Sequence, residues 1–220
     1  VQMQKKQSSL ADKIIVDKRK AHRNSDVART IRSTREKLSI RPGNLNFDRT
    51  LLKMHARSIL AAGAAFPVLI GLITIAGLAL GAGLPAVVWG FIAIALQGMI
   101  LVVAQRADRT DEDRLDVQGL TRNFMVAHFI AGLAWAGLAM LDCEACGADQ
   151  TAIMKAVLLL LAIAATAVVG WALNGALIAS FTLPVATYAF MTARDFDPAR
   201  LSMAVMLVAA LPFFAYISRH

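Results

Sequence analysis

Two cysteines, four histidines and one run of carboxylates are the side chains in this 220-residue chain that invite a chemical reading. Cys143 and Cys146 have two residues between them in Leu141-Asp142-Cys143-Glu144-Ala145-Cys146-Gly147. Three readings are open for them, in falling order: a local disulfide if the segment faces an oxidising compartment, free thiols, or a redox or metal sensor. Zinc would need a further pair of ligands, and the histidines on offer are His22, His55, His128 and His220, scattered along the chain. Asp108, Asp111, Glu112, Asp113 and Asp116 lie close together, but the glycine and terminal glutamate of an EF-hand loop are missing. Arg106, Arg109, Arg114 and Arg122 neutralise that run more simply than a cation would. No GxSxG, GxxxxGK[ST], HExxH or kinase glycine loop occurs. The expectation is a chain that is not an enzyme by itself, with no catalytic residue, no cofactor and no metal.

The elements that would position these groups are long apolar runs. A membrane span needs about 20 mostly apolar residues, and runs of that order follow one another from Arg57 to Tyr216. Six spans are expected: Ile59 to Gly81, Pro85 to Val103, Phe124 to Leu141, Ala152 to Gly170, Gly175 to Met191 and Leu201 to Ile217. Gly81-Ala82-Gly83-Leu84-Pro85 marks the first hairpin, and Asn174-Gly175 the turn that splits a run of about 40 apolar residues too long for one crossing. Continuous rather than alternating apolarity excludes a spanning barrel. The expected fold class is all-α, a polytopic six-helix membrane bundle over residues 57–220 behind a basic tail over 1–56. The composition agrees, with 57% hydrophobic residues, 17% charged and a mean hydropathy of +0.57.

Up to Arg57 the chain holds 15 Lys and Arg against 5 acidic residues, a net +10 that exceeds the +8 of the whole. Ser25 can cap a helix whose apolar positions Val27, Ile31 and Leu38 lie near one face, with Arg29, Arg32, Arg35 and Lys37 around them and Arg41-Pro42-Gly43 ending it. Arg29, Arg32, Arg35, Lys37 and Arg41 are thus candidate contacts for anionic lipid headgroups. Nucleic acid is not the expected partner, because a basic juxtamembrane segment is what cytoplasmic retention favours. The loop from Arg106 to Arg122 adds four more arginines on the same side, so both termini are expected in the cytoplasm, with the chain multi-pass in a bacterial inner membrane.

Within the spans, ionisable groups are scarce. His128 and Lys155 fall near span ends, from which they can reach the interface, leaving Gln97 as the main deep polar group and a natural interhelical hydrogen-bonding residue. That scarcity argues against an ion-coupled pump. Pro67, Pro184 and Pro212 lie inside spans one, five and six, where each removes a backbone bond and is a candidate hinge. Gly132, Gly137 and the alanines around them, like Ala162, Ala164, Ala165 and Ala167, let helices approach closely.

A basic tail, then Phe47-Asp48-Arg49-Thr50-Leu51-Leu52 leading into His55-Ala56-Arg57-Ser58, a first span with Pro67, and Gly132-Leu133-Ala134-Trp135-Ala136-Gly137-Leu138-Ala139 in the third are a combination that carries a resemblance. From Arg41 to His220 the chain resembles the six-span membrane sensor module of alphaproteobacterial sensor histidine kinases of the PleC and DivJ kind. The resemblance implies an input module of a two-component system, whose last span continues into PAS or dimerisation domains and an ATP-binding domain, and it implies a homodimer through that downstream kinase. The phosphoacceptor motif H-E-x-x-x-P and the Asn- and Gly-rich ATP boxes do not occur in these residues, so autokinase activity is not carried over. The alternatives are a stand-alone small membrane transporter and a membrane anchor or assembly partner of another effector.

Overall fold

A computed structural model describes residues 45–141, 147–173, 175–195 and 197–218. The described residues are helical, without strands, and those from Asp48 onward form one compact unit. The helices are α1 (Leu45–Ala61), α2 (Ala65–Ala79), α3 (Gly83–Arg109), α4 (Val117–Met140), α5 (Ala148–Val169), α6 (Ala176–Asp195) and α7 (Pro198–Ile217), with a 3-10 turn at Glu112–Arg114. Helices α3 to α7 are each long and apolar enough to cross a membrane, which makes five, or six if α1 and α2 together form one broken span. Large apolar side chains cover the outside, Phe91 at 73% and Val168 at 74% exposed, as a bundle solvated by lipid requires and one in water does not.

The first expected span, Ile59 to Gly81, differs most. It is not one helix: α1 and α2 meet at a break over Ala62–Ala64 with a bend of 41°. The cause is one turn further on. Pro67 has no N–H to give the carbonyl of Gly63, and glycine is itself a weak helix former, so the chain leaves the helix where both effects coincide. Pro67 stands in the first turn of α2, where a missing N–H costs nothing.

The remaining helices match the expected runs with shifted ends, because the criterion of apolarity stops at the first charges whereas the backbone does not. Thus α3 carries on through Arg106 to Arg109, and α4 starts at Val117, seven residues ahead of Phe124. The long apolar run does fold back: α5 ends at Val169 and α6 begins at Ala176, with Gly175 at φ +96°, a conformation that costs a side-chain-bearing residue. Asn174, the other half of the expected turn, lies outside the described residues.

Two apolar cores result. One gathers Trp89, Trp135, Leu159, Ile163, Phe181 and Tyr188. The other sets Leu52, Ala56 and Ile59 of α1 against Ala104, Ala107, Phe124 and Ala127. Leu52, His55, Ala56 and Ile59 follow the i, i+3, i+4, i+7 spacing of one buried helical face, which is why α1 docks although its sequence is as polar as it is apolar.

Candidate polar site inside the bundle

Three buried polar side chains from three helices form a chain. His55 on α1 meets His128 on α4, Nε2 to Nε2 at 3.2 Å, and the other ring nitrogen of His128, Nδ1, lies 3.1 Å from Ser180 Oγ on α6. Their exposures are 0%, 4% and 4%, so no water outside the bundle competes for these bonds. The Phe124 ring meets His55 edge-on at 4.9 Å, fixing the plane of the imidazole. His55 Nδ1 is buried without a hydrogen-bond partner.

Backbone irregularity is concentrated at the same place. Pro184 cannot donate to the carbonyl of Ser180, one turn earlier, which leaves that carbonyl without its helical partner. Gly132 of α4 fills the position opposite: a methyl group there would collide with Ser180 O. Ser180 therefore faces α4 with both its polar groups, the hydroxyl toward His128 and the carbonyl toward the Gly132 backbone.

His128 and Ser180 also line a cavity of about 30 Å³, space for one or two waters. Its walls include Ala62 and Gly63 of the helix break, the polar side chains of Gln97 and Thr166, and the rings of Phe66, Trp135 and Phe181. Around it α1 is held by two further polar contacts, Ser58 Oγ donating to the Val169 carbonyl at 3.0 Å and an exposed pair of Arg57 Nε with Asp108 Oδ1 at 3.0 Å.

The expected site residues divide. Pro67 and Pro184 adjoin the cavity and the polar chain as described, while Pro212 lies in α7. Cys143, Cys146, Arg29, Arg32, Arg35, Lys37 and Arg41 lie outside the described residues. Two expectations change. His128 and Lys155 are buried inside the bundle and not on its surface, and His128 finds hydrogen-bond partners on two neighbouring helices. Gln97 is only part-buried and shares the cavity with three other polar side chains. Asp108 in the acidic run takes Arg57, and among the described residues no group of three or more His, Cys, Asp or Glu is placed to hold a metal ion.

The His55–His128 pair joins residues 73 apart, and no spacing rule reaches that far. The usable signal was the buried-face register of α1, which places His55 with Leu52, Ala56 and Ile59. No protein family, curated protein or solved structure matches this chain.

Proposed function

We propose that this chain is the membrane-embedded input module of a sensor histidine kinase, which passes a signal through α7 to a cytoplasmic effector beyond His220. The reading rests on the resemblance of Arg41 to His220 and on one structural observation: the helix pair α1–α2 is broken at Ala62–Ala64, directly beside an internal cavity. The half on the N-terminal side, α1, docks through its apolar face and, beside it, through polar contacts that can exchange, a histidine pair, one hydroxyl and one exposed ion pair. A short break between two rigid helices is the kind of element that absorbs a hinge rotation, and a ligand or membrane state that binds one arrangement better shifts its population. In this reading the module sits in a bacterial inner membrane with both termini cytoplasmic, its basic tail lies on anionic headgroups, and it dimerises through the downstream kinase.

The test is a fusion of a histidine-kinase core after His220. Autophosphorylation that changes several-fold when Gly63 and Pro67 are both replaced by alanine supports the reading. Phosphorylation indifferent to deletion of everything before α7 overturns it. The transporter alternative draws on the same broken helix beside a polar cavity; solute flux in liposomes by the purified chain would replace the sensor reading with that one.

A further inference from the structure

Ser180, His128 and His55 have the arrangement of a nucleophile, a base and the group that orients the base. Hydrolytic serine enzymes need a hydroxyl within hydrogen-bond reach of an imidazole nitrogen, and a third group on the other nitrogen that fixes the tautomer. Here the two distances are 3.1 Å and 3.2 Å. Catalysis uses the tautomers in which Ser180 O–H donates to His128 Nδ1 and His128 Nε2–H donates to His55 Nε2, which places the proton of His55 on Nδ1. Ser180 and His128 open on the cavity, whereas His55 stands behind the base, away from the lining.

We propose that Ser180 and His128 form the catalytic pair of a hydrolase for carboxylic esters of membrane lipids, with His55 as the positioning residue. Three observations select the substrate class. Among the described residues the lining carries no charged side chain, so the group it accepts is uncharged, as an ester is. Gln97 and Thr166 supply N–H and O–H donors in the same cavity for a developing oxyanion. The depth is also right. Ser180 lies four residues into α6, about 6 Å along its axis, and Trp171 in the preceding turn is exposed as interfacial tryptophans are. A 20-residue helix spans about 30 Å, the hydrocarbon thickness, so the acyl ester groups lie near the start of α6, about one helical turn from Ser180. The cavity of about 30 Å³ has room for a reacting carbonyl only, so the acyl chain stays in the bilayer and admission of the ester requires the wall at Ala62 and Gly63 to move aside.

In the first step Ser180 Oγ bonds to the ester carbonyl carbon while its proton passes to His128 Nδ1. The C–O bond to the alcohol then breaks, and His128 returns the proton to the departing oxygen, leaving an acyl-serine. Water attacks that carbonyl, its proton goes to His128, the acyl–Oγ bond breaks with release of the fatty acid, and Oγ takes the proton back. His55 carries no negative charge, so it stabilises the imidazolium less than a carboxylate would, and turnover is expected to be slow.

This proposal does not depend on the sensor reading, and its test leaves that reading untouched. The full chain in lipid nanodiscs is treated with a long-chain alkyl fluorophosphonate and followed by intact mass and peptide mapping. The expected result is one adduct per chain, on Ser180, absent in S180A and formed at least 100-fold more slowly in H128A. H55A should slow labelling and change its pH profile, and H55N should recover part of the rate, which a residue needed only for folding would not produce. An unlabelled wild-type chain that unfolds cooperatively on heating overturns the proposal, as does an adduct that persists in S180A.

Discussion

Gly132 and the carbonyl of Ser180 touch so closely that no side-chain carbon fits between them. The carbonyl is available for that contact because Pro184 withholds the helical N–H that would otherwise occupy it. A proline on one helix and a glycine on its neighbour thus form a single packing device, and its strength can be measured. Gly132→Ala should lower stability by about 1–3 kcal/mol, since the added methyl forces rigid backbone apart. Gly98→Ala is the control: a Cβ there meets nothing, and alanine in a helix interior should be neutral or stabilise by up to about 1 kcal/mol. Thermal unfolding of the two variants in the same detergent should separate them in opposite directions.

Trp89 donates its indole N–H to the Ala134 carbonyl at 2.7 Å and lies in an edge-to-face contact with Trp135 at 6.3 Å. Trp89→Phe removes the donor and keeps most of the apolar area, a loss of about 0.5–1.5 kcal/mol. Trp89→Ala opens a cavity as well and should cost about 3–5 kcal/mol. A Trp89→Phe loss close to zero beside the Trp89→Ala loss, read from denaturation midpoints, would show that the hydrogen bond carries little beside the packing.

Tyr188 is buried in the first core and its hydroxyl donates to the Ala152 carbonyl at 3.0 Å, tying α6 to α5. Tyr188→Phe should lower stability by about 1 kcal/mol without altering helix content by circular dichroism.

The Arg57–Asp108 pair gives the opposite expectation. Its side chains are 67% and 37% exposed, and solvent-screened pairs contribute between zero and about 1 kcal/mol. A double-mutant cycle of Arg57→Ala and Asp108→Ala should return a coupling below about 0.5 kcal/mol that fades in high salt.

Pro67→Ala restores a donor for the carbonyl of Gly63, so the break at Ala62–Ala64 should tighten toward a continuous helix. Spin labels at the exposed positions Thr50 and Leu78, one on each arm of the 41° bend, should move apart by roughly 3 Å on full straightening. An unchanged separation would assign the bend to docking of α1 instead.

The apolar helices were legible because lipid-solvated segments announce themselves by length and continuity, and the positions of α3 to α7 follow from that. Their ends were not, since Arg106 and Arg109 continue α3 after hydropathy has fallen. Pro67 was visible as a disruption, but the disruption a proline causes falls about one turn ahead of it, so reading Ile59 to Gly81 as continuous hid the break. The polar chain was the least legible part. His55 lies ahead of the first apolar run, His128 near the edge of another, and Ser180 is a small polar residue in a third. Only the fold places the three together, and apart from the register of α1 that puts His55 on a buried face, nothing in their local sequence distinguishes them from residues with no partner.

Arg200 holds Asp149 at the start of α5 with its Nη2 at 2.8 Å, and the Asp197 side chain caps the backbone N–H of the same arginine. One end of α7 is therefore fastened by charge, while toward the other Ala215 is buried in the first core and Tyr216 is 65% exposed. Any tilt of α7 about that clamp is amplified along its length. Over the roughly 24 Å from Arg200 to Tyr216, a tilt of only about 5° about the clamp carries the far end sideways by about 2 Å.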